Sequence, residues 1–327
     1  MRLSRKGELA LVEKVRERFK APGRSVVLGI GDDAAVLRPA AGLLLATTDM
    51  MVEGVHFDLR LATPFQIGFK LVSVNVSDIY AMGGAPAHAL LGLALPADTR
   101  EDFMDGFLSG VEEAAGLYGV SVVGGDVSSS PGGMALSATV LGRAARPVKR
   151  SGARPGDGVF VTGTLGDSAC GIALLRAIGK RVDFSRPVNR PLRWRVMEPL
   201  LKRHLIPVAR KPSRYLRAAT AMIDVSDGLA LDLHRLCAES GVGARVYKGD
   251  VPISAGALEA ARRLGLDPFA LASSGGEDYE LLFTARSAKV AGARRIGEVT
   301  PGAGMVLVDE KGGERPLRPA GYLHFGG

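Results

Sequence analysis

The chain has 327 residues, 46% hydrophobic and 23% charged, with 43 glycines and a net charge of +8. That composition is globular, leaves room for two domains with separate cores, and excludes a disordered chain. No run approaches the roughly 18 apolar residues of a membrane span, and Cys170 and Cys237 form neither a CxxC pair nor a disulfide framework, which points to a reducing cytoplasm.

In chain order, the first twenty residues alternate charges with Leu9, Val12, Val15 and Phe19, so they read as an amphipathic helix without the apolar core of a signal peptide. Short β-rich runs follow, SVVLGI, GLLLATT, ALLGLAL and MALSATVLG, alternating with helical stretches at 64–82, 99–118, 167–178 and 228–240. The pattern predicts an α/β chain. Between two of its strands, Ala145 to Gly152 combines charge, proline and glycine, and we place a domain boundary near residue 147. Eleven Lys and Arg lie between Arg181 and Arg217 against only Asp183 and Glu198, leaving the remainder of the chain near neutrality. Five prolines punctuate that segment, which reads as a solvated surface connection; no nucleic-acid motif accompanies it.

Gly29, Gly31 and Ala34 match a G-x-G-x-x-A dinucleotide fingerprint, with Asp49 near the ribose position. Against that reading, Asp32 and Asp33 stand where a pyrophosphate needs N–H groups, and Pro39 interrupts the helix that should follow. A divalent cation between carboxylates and phosphates removes the conflict, since Mg²⁺ favours carboxylate and phosphate oxygens. The alternative is that the pair only caps a turn. Four further segments, Thr47-Thr48-Asp49, Ser77-Asp78, Gly124-Gly125-Asp126 and Asp224-Val225-Ser226-Asp227, set hard oxygen donors beside apolar runs, and we expect them at strand ends. No GxxxxGK[ST], HRD or DFG motif is present, and the five histidines do not cluster.

Two glycine-bearing turns remain. Thr162 to Ser168 leads from the strand GVFV into a helix, where it could attract phosphate or be an ordinary capped turn. Ser273 to Glu280 gathers three acids behind two glycines, either as an exposed acidic turn or as substrate recognition with Glu277 facing a cationic or hydrogen-bond-donating ring. Cys170 and Cys237 read as core residues inside helices.

Taken in order, GIGDDAAVL, TTDMMVEGVHF, GFKLVSVNVSDIYAMGGAP, GGDVSS, RSGARPGD, VTGTLGDSA, IDVSDGLALDL, SGGEDYELLFT and the terminal GYLHF resemble the thiamine-monophosphate kinase family, within the aminoimidazole ribonucleotide synthetase-like superfamily. The resemblance implies a two-domain α/β (α+β) architecture: residues 1–147 as an ATP- and Mg-binding domain whose mixed sheet and helices dimerise, and 148–327 as an α/β domain adding metal and substrate contacts. It implies direct transfer of the γ-phosphoryl group of ATP to thiamine monophosphate, with several Mg²⁺ ions and ATP as co-substrate. The implied metal ligands are Asp33, Thr47, Thr48, Asp49, Asp78, Asp126, Asp224 and Asp227. Gly125, Arg150, Ser226 and Tyr118 are the implied ATP contacts, and His56, Glu277 and Tyr322 the implied thiamine phosphate contacts. A homodimer follows from the family; nucleic acid and membrane partners do not. Aminoimidazole ribonucleotide synthetase is the enzyme alternative, and a catalytically silent Mg-nucleotide regulator the alternative of another class.

Overall fold

The computed structural model describes residues 8–19, 24–30, 34–39 and 41–322. Its contacts divide the chain into two compact units: one of Met1–Ile79, Gly84–Arg146 and Lys180–Val182, the other of Tyr80–Gly83, Pro147–Gly179 and Asp183–Gly327.

The first unit opens with α1 (Glu8–Arg18), then a two-stranded hairpin of β1 (Val26–Leu28) and β2 (Val36–Leu37), paired antiparallel. A dinucleotide fingerprint would need a helix after Gly29, so the hairpin excludes that reading. Next come β3 (Leu43–Val52), α2 (Pro64–Ala81), β4 (Ala85–Pro96), α3 (Glu101–Tyr118), β5 (Ser121–Ser130) and β6 (Ala135–Ala144). The four longer strands form a mixed sheet in the order β3-β6-β4-β5, with only β4 and β5 parallel. Strand periodicity decides its faces. Met51, Leu136, Ala138, Val140, Ala89, Leu91, Leu93 and Leu95 are buried, whereas Leu44 is 74% exposed and Met50 58%. The start of α2 is fixed locally: the Thr63 N–H donates to Gln66 Oε1 (2.8 Å), the Gln66 N–H returns to Thr63 Oγ1 (3.3 Å), and Pro64 takes the first helical position.

The second unit contains β7 (Gly158–Thr162), α4 (Asp167–Ile178), α5 (Trp194–Leu205), β8 (Ala219–Asp224), α6 (Leu229–Ser240), β9 (Gly243–Tyr247), α7 (Ala255–Leu264), α8 (Pro268–Ser274), β10 (Leu281–Ala285), β11 (Ala293–Thr300), β12 (Met305–Val308) and β13 (Glu314–Pro316). Its seven strands run β13-β12-β9-β11-β7-β10-β8, all antiparallel neighbours except β12 and β9. β7 and β10 are buried at every position, as central strands covered on both faces should be. One core joins Val159, Val161, Ile223 and Leu282 to Leu229, Leu233 and Leu236 of α6; a second holds Phe160, Phe283, Met222 and Tyr215. Cys170 and Cys237 are 1% and 3% exposed inside α4 and α6, as expected.

The helices expected at 64–82, 99–118, 167–178 and 228–240 correspond to α2, α3, α4 and α6 within two residues at either end. The basic segment differs from its expected form. It contains α5, whose Met197, Leu200, Leu201 and Leu205 are at most 4% exposed despite Pro199 within the helix. That apolar stripe, interleaved with basic residues, makes it a packed helix rather than a solvated connection.

Candidate functional site

In the first unit the acidic residues stand on regular structure, contrary to the expected strand ends. Thr47, Thr48 and Asp49 occupy the middle of β3, Asp126 the middle of β5, and Asp78 lies inside α2. Thr47 Oγ1 donates to Asp78 Oδ2 at 2.6 Å, and the Asp49 N–H donates to Asn75 Oδ1 at 2.9 Å, so β3 and α2 hold Thr47, Asp49 and Asp78 in one group. The pairing register puts Asp49 in one row with Ala138, Leu91 and Gly125. Thr48 instead shares a row with Thr139 and Leu90, and Asp126 one with Gly92, Ser137 and Met50, on alternate rows of the sheet. The expected donors of this unit therefore divide between two sets of rows. Gly125 has a φ of 154° with Leu91's carbonyl where a Cβ would sit, so only glycine fits this point of β5.

Two ligand contacts expected in this unit have definite partners. The Val52 N–H donates to His56 Nδ1 at 3.0 Å, which leaves the proton of the neutral ring on Nε2. Tyr118 Oη donates to Ser73 Oγ at 3.1 Å from the last turn of α3. Asp33, with Gly31 and Asp32, lies outside the described residues, as do 323–325 of the terminal GYLHF.

The second unit brings its expected residues together through the backbone. The turn after β8 and the turn before β10 are joined by three bonds: Val225 N–H to Glu280 O (2.8 Å), Tyr279 N–H to Val225 O (2.9 Å) and Glu277 N–H to Ser226 O (2.7 Å). The Tyr322 N–H adds a bond to Asp227 O at 3.1 Å. Asp224, Ser226, Asp227, Glu277 and Tyr322 thus share one neighbourhood, while Arg150 is exposed, its carbonyl accepting from Ser240 Oγ at 2.9 Å. A Cβ on Gly276 would run into the Ser226 carbonyl, which explains glycine at the closest approach of the two turns. Glu277 and Tyr279 both adopt left-handed backbone, with φ of 66° and 50°, a conformation costing about 1–2 kcal/mol for a residue with a side chain.

Beside these two residues lie buried charged groups. Glu280 is 0% exposed and accepts from Arg203 Nη1, Arg210 Nε and Arg210 Nη2, each at 2.7 Å, and from Thr162 Oγ1 at 2.5 Å. Burial pushes its carboxyl up, but the hydrogen bonds and charges of Arg210 and Arg203 outweigh this and hold it below the ordinary value. Asp278, also fully buried, accepts from the N–H groups of Gly166 (2.6 Å) and Ser168 (3.0 Å) at the start of α4. Burial pushes its carboxyl up to about 7 against the opposing pull of those two bonds. The exposed-acidic-turn reading is overturned: the turn's second and third acids point inward. In the Thr162 to Ser168 turn, two of the N–H groups that could attract phosphate, those of Gly166 and Ser168, are occupied by Asp278, and the N-cap residue, Gly166, supplies no side-chain cap of its own.

Several residues here escaped the sequence reading. Asp232 Oδ2 accepts from the N–H groups of Ser226, Asp227 and Gly228 at 3.0, 3.0 and 3.1 Å, shaping the whole turn before α6. Burial raises its carboxyl to about 6. Arg235 Nη1 reaches Asp227 Oδ2 (2.6 Å) and Asp232 Oδ1 (2.8 Å). An acid in the first turn of a helix behind a glycine was the available signal for Asp232; Arg203, His204 and Arg210 gave none, standing in a segment read as solvated.

Residues 31–144 match the N-terminal domain, and 154–310 the C-terminal domain, of AIR synthase related proteins. Thiamine-monophosphate kinase of Aquifex aeolicus is 38% identical over 99% of this chain and 100% of its own length. Among solved structures, thiamine-monophosphate kinase from Stenotrophomonas maltophilia K279a aligns with a TM-score of 0.79 at 34% identity, covering 92% of this chain and 96% of that one. The structure of AaThiL complexed with AMPPCP and TMP aligns with a TM-score of 0.76 at 36% identity, covering 99% of both chains. The chain belongs to the thiamine-monophosphate kinase family.

Proposed function

We propose that this chain transfers the γ-phosphoryl group of ATP to thiamine monophosphate, releasing ADP and thiamine diphosphate. The observation that carries the reading is the three-bond junction of the 224–227 and 275–280 turns, which sets the residues expected to meet nucleotide and metal against Glu277, expected to meet the acceptor. Kinship with enzymes named for this reaction, one of them solved with AMPPCP and TMP, supports it.

The chemistry needs little from the protein beyond position and charge. The acceptor is a phosphate monoester, largely dianionic at neutral pH because its second pKa is about 6. Its oxygen attacks the γ-phosphorus, the bond to the β-phosphate oxygen breaks, and ADP leaves with the electron pair. No proton has to be removed from the nucleophile, which accounts for a site without a base in our reading. His56 would donate through Nε2 to the acceptor phosphate, Glu277 would face the thiazolium or aminopyrimidine ring, and Tyr322 would stack against it. Arg150, Ser226, Tyr118 and the backbone of Gly125 would contact ATP.

Mg²⁺ fits the donor set, which is all carboxylate and hydroxyl oxygen. Among the described residues no three His, Cys, Asp or Glu side chains form a metal-holding group, and Mg²⁺ is commonly bound by one or two carboxylates plus substrate phosphates and water. Thr47, Thr48, Asp49, Asp78 and Asp126 would serve in the first unit, with Asp33, and Asp224 and Asp227 in the second. When bound, the ions neutralise charge developing on the transferring phosphoryl group. We assign 1–147 to nucleotide and metal binding and to homodimerisation, for which exposed Leu44 and Met50 on the sheet are a suitable surface, and 148–327 to metal and substrate contacts. No helix among the described residues is long and apolar enough to cross a membrane. Separately, two buried free cysteines suit a reducing compartment, and we place the reaction in the cytoplasm.

The test is incubation with ATP, Mg²⁺ and thiamine monophosphate. Equimolar ADP and thiamine diphosphate are expected, with no product from thiamine, whose alcohol would need a base. Turnover of aminoimidazole ribonucleotide precursors instead would reassign the chain, and nucleotide binding without turnover would make it a regulator.

A further inference from the structure

His204, near the end of α5, has no place in the reaction as derived above, yet it is turned toward Glu277. Its Nδ1 lies 3.1 Å from Glu277 Oε2 and 3.1 Å from Ser168 Oγ. Nδ1 has one valence to use: a lone pair there would face the carboxylate and repel it, so the arrangement holds only when Nδ1 carries a proton and donates. The His204 side chain is 12% exposed and that of Glu277 is 28%. The contact therefore forms at the border of the interior, where a directed hydrogen bond to a carboxylate is stronger than one in open water.

The neighbouring residue defines the division of labour on α5. Arg203 Nη1 reaches Glu280 Oε1 and the carbonyl oxygen of Asp278, anchoring the backbone of the turn. His204 reaches the side chain of Glu277 instead, the only acid of the turn that is not fully buried. With φ at 66° and its N–H tied to the Ser226 carbonyl, the main chain of Glu277 is fixed, and its side-chain torsions are what remain to be set.

We propose that His204 is a positioning residue that holds the Glu277 carboxylate toward the ring system of the acceptor and thereby sets affinity for thiamine monophosphate. This rests on the proposed activity and on Glu277 as a substrate contact. Residues that orient metal ligands typically change affinity or activity about 10–100-fold; taking the lower end of that range for an oriented substrate contact, His204→Ala raises the KM for thiamine monophosphate by about tenfold, with the KM for ATP and the unfolding midpoint unchanged. His204→Asn places an amide N–H near the position of Nδ1 and recovers most of that loss. In a Glu277→Gln background, His204→Ala adds little, because the two act as one unit.

Steady-state kinetics with each substrate varied, together with thermal unfolding of all four variants, decides the matter. A split confined to the acceptor KM, rescued by Asn and absent from the double variant, supports the proposal. Equal rises in both KM values, a lowered midpoint with normal kinetics, or full additivity with Glu277→Gln overturns it. If the unaltered protein does not turn over thiamine monophosphate, the activity reading falls and takes the proposal with it; turnover with His204→Ala indistinguishable from the unaltered protein sinks the proposal alone.

Discussion

The two units hold their candidate residues by different physics. In the first, Thr47, Asp49 and Asp78 inherit their positions from β3 and α2, and their side chains are half-buried. In the second, Asp224, Ser226, Asp227 and Glu277 stand on turns, two of whose residues have left-handed backbone, and the turns are held by three carboxylates with 0% exposure, Asp232, Asp278 and Glu280. Regular structure can lose a functional side chain without losing its shape. A turn held by buried charge cannot, because removing one partner leaves another uncompensated in low dielectric.

The sharpest break in that contrast is Glu280→Gln, which leaves Arg203 and Arg210 facing an uncharged amide. Loss of a buried partner costs about 3–5 kcal/mol, to be read from the urea midpoint; a midpoint equal to that of the unaltered protein would show that the buried cluster does not hold the second unit. Next is Asp49→Asn, on the first unit's sheet. Outer-shell changes at metal sites cost about 10–100-fold, so loss of a direct ligand should reduce turnover by more than about 100-fold while the same urea midpoint holds. Normal turnover would remove Asp49 from the ligand set.

A gentler probe is the pH dependence of stability. The folded-state carboxyl of Asp278 sits at about 7, above its unfolded value of 3.8. Between those values the folded protein retains a proton that the unfolded chain releases, so this group's contribution is full below the lower value. It is lost as pH rises through the upper one, by up to about 1.4 kcal/mol per pH unit. Asp232, raised to about 6, acts with the same sign over a narrower window. Asp278→Asn should flatten the decline in unfolding free energy between about pH 4 and 7; an unchanged slope would show that Asp278 is ionised throughout.

Periodicity along the chain made most of the frame legible. The alternation of β3, the apolar run of α2 and the helices α4 and α6 all follow from local pattern, and the motifs around Asp49, Asp224 and Glu277 named the family. What stayed hidden depends on partners far away in sequence. Asp278 and Glu280 look like an exposed acidic turn because their partners stand 112 and 110 residues away for Asp278, and 118, 77 and 70 residues away for Glu280. The apolar stripe of α5 was masked by the basic residues between its turns and by Pro199, which argued against any helix there. The expected strand-end placement of Asp126 and Asp49 failed because these acids lie within extended strands, where position on a row, invisible without the pairing register, decides what they meet.

The carboxylate of Asp278 at the head of α4 has one more consequence. A glycine-rich stretch between strand and helix is what a motif scan takes for a phosphate cradle, and here two of its N–H groups, of Gly166 and Ser168, already donate to a carboxyl group of the chain itself. The protein thus carries a built-in decoy: the site that looks most inviting to a nucleotide is sealed from within. Anyone ranking such motifs in other chains should first ask which acid of the same molecule is seated there.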